Sequence, residues 1–74
     1  MRVAVVKAAF DEDSGVWYLE HSDIEGLHVE GATFEAFRQS VADAAVDLAL
    51  SAGKTEDMHI EIVAHASIRA RAVA

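Results

Sequence analysis

The chain opens on a Val- and Ala-rich stretch whose side chains divide between two faces. Across residues 2–10, Ala4, Val6, Ala8 and Phe10 share one side, and Val3, Val5, Lys7 and Ala9 share the other. That alternation is the signature of a β-strand. Asp11-Glu12-Asp13-Ser14-Gly15 follows as turn chemistry, with carboxylates that bond local backbone and a glycine that tolerates positive φ. Val16–His21 alternates again and predicts the return arm of a hairpin. Trp17 and Tyr18 fall on opposite faces of it, one for the core and one partly exposed. A second turn at Asp23–Gly26 leads to a short predicted third strand, Leu27–Glu30.

At Gly31-Ala32-Thr33 the hydrophobic period changes from about 2 to about 3.6 residues. Thr33 is suited to cap a helix, because its hydroxyl can accept an N–H of the first turn. Glu35 suits the positive end of the helix dipole. The helix is expected to run to about Ala52, with Gly53 as its stop. Phe34, Phe37, Val41, Ala44, Ala45 and Leu48 form one stripe, the expected core face. A second apolar stripe, Ala42, Val46, Ala49 and Leu50, lies beside it. A helix covering a small sheet needs a single apolar face. Alanine alone reflects helix propensity, but Val46 and Leu50 go beyond that, and the second stripe is expected to meet another chain.

From Met58 to Val73 the pattern alternates once more, with Met58, Ile60, Ile62, Ala64, Ala66, Ile68, Ala70 and Ala72 on one side. The first strand can pair with only about the first nine of these residues. The remainder either frays or pairs with another subunit; fraying is the expectation for a terminus.

Composition narrows the picture. Of 74 residues 53% are hydrophobic, yet 15 are Ala, so the core is thin for a single domain. No Cys is present to form a disulfide or a thiolate metal site. Small cores need a staple, and here that leaves a homo-oligomer, a dimer or tetramer, or binding to a partner. Net charge is −7, and residues 1–37 carry eight acids against two bases. Such a surface disfavours direct nucleic-acid binding and favours a basic protein partner. Absence of Cys fits a reducing, cytoplasmic setting. No run approaches the length of a transmembrane span or has the flanks of a signal peptide.

Chemistry-bearing patterns are weak. Val3–Phe10 contains no carboxylate, and Asp43 and Asp47 lie away from the core stripe, so a metal-dependent nuclease lacks its ligand cluster. Asp11–Gly15 cannot complete a calcium loop, because Ser22 stands where the bidentate Glu would be. His28 with Glu30, and His59 with Glu61 and His65, share strand faces, but strands 3 and 4 are expected three spacings apart, about 14 Å. No serine lies in a nucleophile elbow. No catalytic residue, metal site or cofactor is therefore assigned, and the chain is not expected to be an enzyme.

Several motifs together carry a family resemblance: Lys7–Phe10, the acidic turn to Gly15, Val16-Trp17, Ser22-Asp23-Ile24-Glu25-Gly26-Leu27, Glu30-Gly31-Ala32-Thr33-Phe34-Glu35 and Met58–Ala64. In order and spacing they resemble the N-terminal domain of HicB antitoxins, and more closely short stand-alone HicB-like proteins of unknown function. Glu25 replaces the usual Pro of that turn, and no DNA-binding domain is expected after the last strand. The resemblance implies an α+β fold, β-β-β-α-β, a truncated RNase H-like arrangement. Its four-stranded sheet has the order 3-2-1-4, with one helix on one face. It also implies binding to a small basic ribonuclease toxin. Glu20, Asp23, Glu25 and Glu30 are the expected acidic contacts; Ala42, Val46, Ala49 and Leu50 are the expected oligomer contacts. The alternatives are an orphan homo-oligomer of RNase H-like ancestry or a metal- or ligand-dependent enzyme.

Overall fold

A computed structural model describes residues 2–54 and 57–72. The elements follow the order β1 (Arg2–Asp11), β2 (Val16–Ser22), β3 (Glu30–Gly31), α1 (Phe34–Ser51) and β4 (Met58–His65). They build a four-stranded mixed sheet in the order β3-β2-β1-β4, as expected, with α1 on one face. β1 pairs antiparallel with β2 and parallel with β4, from Arg2 opposite Met58 to Ala9 opposite His65. A parallel neighbour requires a crossover, and α1 supplies it.

The helix begins where the capping chemistry predicts. Thr33 has extended backbone and its hydroxyl accepts the N–H of Ala36 at 3.0 Å. At the other end Gly53 takes φ of 73°, and the N–H of Lys54 returns to the Ala49 carbonyl at 2.9 Å. That left-handed residue stops the helix. Phe37, Val41 and Ala45 are buried, while Phe34, Ala44 and Leu48 are half-buried beside them. They pack on Ala4, Val6 and Ala8 of β1. Phe10, Trp17 and Phe34 close the hairpin end, with ring centroids 5.3 and 5.2 Å apart. Trp17 is thus the core aromatic, and Tyr18 is 39% exposed on the other side.

One expectation changes. The third strand is Glu30–Gly31 and not Leu27–Glu30. Ile24 and Leu27 are buried, at 7% and 3% exposure, in a turn closed by the Leu27 N–H on the Ile24 carbonyl. This segment plugs the end of the core and bonds to itself, so it cannot also join the ladder. β4 ends at His65, within the reach of β1, and residues 66–72 are exposed without regular structure, the fraying expected of a terminus. Val73, where the alternation ends, lies outside the described residues.

Gly31 sets the seat of the helix. A Cβ there would stand 2.5 Å from the backbone nitrogen of Phe37. The first turn of α1 therefore rests directly on β3.

Candidate functional site

The helix covers one side of the sheet and leaves the other bare. Strand alternation sends Val3, Val5, Lys7 and Ala9 of β1 to the bare side, with His59, Glu61, Val63 and His65 of β4. Val3 is 64% and Val63 51% exposed there. In β2 the register slips: Lys7 faces His21, but Ala8 faces Leu19. Glu20 is the extra residue, a β-bulge. The bulge places Glu20 and His21 on the bare side together while Leu19 stays under the helix. Tyr18 opposes Glu30 of β3, so both share that side as well. Ala9, flanked by Tyr18 and His65, is only 4% exposed despite facing away from the helix.

Three histidine–carboxylate contacts mark this surface. His59 Nε2 lies 2.9 Å from Glu61 Oε1, His21 Nε2 lies 3.6 Å from Asp23 Oδ1, and His65 Nδ1 lies 3.8 Å from Glu20 Oε2 across the central strand. All six side chains are solvent-exposed, which makes these contacts weak contributors to stability.

The four acidic residues expected to bind a partner do not share one surface. Glu20 and Glu30 flank Tyr18 on the bare face. Asp23 is tied into the sheet end, where its Oδ2 accepts the Val5 N–H at 2.9 Å and its own N–H donates to the Val5 carbonyl at 3.0 Å. Glu25 sits beside Arg2, Leu48 and Ser51 at the C-terminal end of α1. The turn Asp11–Gly15 lies at the opposite end of the β1–β2 hairpin from the Asp23–Gly26 turn.

The second helical stripe holds together as one surface. Ala42, Val46, Ala49 and Leu50 line an open groove of about 560 Å³ with Met58 and Ile60 of β4. Val46 is 56% and Leu50 62% exposed. β4 is the sheet edge, so the groove opens onto a strand whose outer side has no neighbour among the described residues.

Among the described residues carboxylates do not converge on a reaction centre. Among the described residues no group of three His, Cys, Asp or Glu side chains is placed to hold a metal ion. Asp11 ends β1, but its carboxylate is engaged in the turn, accepting the Asp13 N–H at 3.0 Å. The Ser14 hydroxyl, then the Asp13 N–H, hold it below the ordinary aspartate value. Asp43 accepts from the Gln39 amide on the helix exterior. Among the described residues no helix is long and apolar enough to cross a membrane. The bulge at Glu20 and the core plug at Ile24 and Leu27 leave no signal in the sequence, because both depend on the register of a neighbouring strand.

Comparison with known proteins adds kinship. No curated protein matches the chain. A crystal structure of the hypothetical protein TTHA1013 from the extremely thermophilic bacterium Thermus thermophilus is similar, with a TM-score of 0.66 and 28% identity. The match covers 95% of this chain and 99% of that one. Residues 3–74, nearly the whole length, match the family described as a domain of unknown function, DUF1902, and the chain belongs to that family.

Proposed function

We propose that this chain is a protein-binding module of the HicB-antitoxin type, which neutralises a small basic ribonuclease toxin and is not itself an enzyme. The observation that carries the reading is Tyr18, 39% exposed on the bare sheet face between Glu20 and Glu30. An accessible aromatic ring between two acids is the chemistry of a protein interface with a basic partner. Opposite charge raises the association rate and excludes RNA from the same basic surface. Glu20 and Glu30 take this role; Asp23 serves the fold, and Glu25 lies away from the face.

The test is co-expression with a short basic protein encoded beside this gene, if one exists. The complex should co-elute at low salt and weaken as salt screens the acids. Tyr18→Ala should speed its dissociation, and Glu20→Lys with Glu30→Lys should slow its formation. Failure to co-elute at low salt, or the lack of any basic neighbour, refutes the reading.

The exposed stripe of Val46 and Leu50 favours a second, compatible property: self-association into a dimer or tetramer. Light scattering at micromolar concentration should report a mass above that of one chain.

A further inference from the structure

The groove beside β4 and the segment that follows β4 fit one another. Residues 66–72 continue the alternation of β4, with Ala66, Ile68, Ala70 and Ala72 on the helix-facing side and Ser67, Arg69 and Arg71 on the other. Yet they leave the sheet, although β1 extends two residues past its last partner, Ala9. Ile68 is then 91% exposed, and the chain reaches 60 Å in its longest dimension against 20 and 17 Å in the others. A short protein presenting an extended apolar-patterned arm, an unprotected eight-residue edge strand and an apolar groove along that edge has the parts of a strand-pairing interface.

We infer that the occupant is a second copy of this chain: β4 and residues 66–72 of two subunits pair antiparallel, joining two sheets into one. The inference deepens the self-association reading and rests on it. It specifies the covering segment and its register.

A two-fold axis normal to the sheet makes the two β4 strands antiparallel and keeps both helices on the same side. Residues directly opposite then share a face. With Val63 on the axis, Met58 faces the partner's Ile68 and Ile60 faces the partner's Ala66. Ile68 thereby enters the groove beneath Val46 and Leu50. On the bare side Val63 meets its own copy, Glu61 meets the partner's His65, and Asp57 meets the partner's Arg69. Moving the axis to Ile62 sets His59 against the partner's His65 and carries Ile68 past the start of β4. Moving it to Ala64 sets His59 against the partner's Arg69. The Val63 register alone of these three pairs acid with base twice and buries Ile68. The small residues Ala64 and Ala66 face Ile62 and Ile60 in it, which leaves space for the half-buried isoleucines.

The chain has no cysteine, so a single engineered one reports cleanly. Paired strands bring opposing Cα atoms to about 4.5–5.5 Å, inside the disulfide range of about 4.4–6.8 Å. Val63→Cys should therefore crosslink to a covalent dimer on mild oxidation, and Val3→Cys, exposed on the same face but on β1, should not. Ile68→Asp should weaken self-association by about a hundredfold, since it sets a carboxylate in an apolar groove. Ile68 is solvent-exposed in one chain, so circular dichroism should show the subunit still folded. Arg69→Glu should also weaken the dimer, and Asp57→Arg in the same chain should restore it. A dimer that persists with Ile68→Asp and leaves Val63→Cys uncrosslinked overturns the pairing while leaving self-association standing. A monomeric native protein overturns both.

Discussion

Gly31→Ala tests the seating of the helix on β3. The new methyl carbon would lie 2.5 Å from the Phe37 nitrogen, 2.9 Å from its Cα and 3.0 Å from the Ala36 carbonyl carbon. Ordinary contact begins near 3.4 Å, so the first turn of α1 must retreat by nearly 1 Å. All three obstacles are backbone, which cannot rotate aside. The retreat also lifts Phe37, which is 0% exposed and among the largest buried side chains. Overpacking of this kind costs about 1–3 kcal/mol. For a chain this short total stability is roughly 4–11 kcal/mol, and Tm falls by about 4–8 °C per kcal/mol. Thermal unfolding followed by circular dichroism should drop by about 12 °C at mid-range. Gly15→Ala is the control: φ is +71° but nothing lies within 4 Å, so backbone strain acts alone, at about 1 kcal/mol. A Tm for Gly31→Ala within about 2 °C of the native value would show that the strand and helix do not touch as described.

Val46→Asp should split the oligomer without unfolding the subunit, because Val46 is 56% exposed in one chain; sedimentation with parallel circular dichroism separates the two outcomes. Asp23→Ala should lower stability by about 1–3 kcal/mol in urea melts, since it leaves the Val5 N–H without its carboxylate. For Asp11 the sign follows from a folded-state value below the ordinary one. Its stabilisation of the hairpin is complete above the ordinary aspartate value and fades as pH falls through the lowered one, and Asp11→Asn should remove that acid-side dependence. Purified protein should leave RNA and DNA intact with Mg²⁺ or Mn²⁺; cleavage abolished by Glu61→Ala or Asp43→Ala would overturn the assignment of both carboxylates to the exterior.

Most of the fold is legible in the sequence because its elements obey local periods. β1, β2 and α1 are set by alternation, Thr33 and Gly53, all of which act within a few residues. The misreading of β3 has a physical source. Leu27-His28-Val29-Glu30 alternates as a strand does, but Leu27 is buried as an end plug, and burial of alternate residues does not require ladder hydrogen bonds. The site is less legible. Glu20 and Glu30 come together only through the pairing of β2 with β3, and a single-residue bulge decides where Glu20 points. Glu25 is carried elsewhere by a turn, and Asp23, although its Oδ1 reaches His21, is held at the sheet end by the Val5 N–H. The groove is more readable, because Ala42, Val46, Ala49 and Leu50 share one helix and need no tertiary information to align.

The parallel pairing of β1 with β4 bears on how the molecule is made. Every contact in that ladder joins residues 56 positions apart, as Arg2 joins Met58. The β1–β2 hairpin can close early, but the central strand stays open along one edge until β4, 56 residues later, has been synthesised. β1 is also the most apolar segment of the protein, with Val3–Phe10 interrupted only by Lys7. A nascent chain would thus carry a sticky, half-paired strand until β4 emerges, the situation that favours slow folding and capture by chaperones. The acidic turn Asp11–Gly15, attached directly to that strand, places repulsive charge beside it during the interval when it is most prone to join the wrong neighbour.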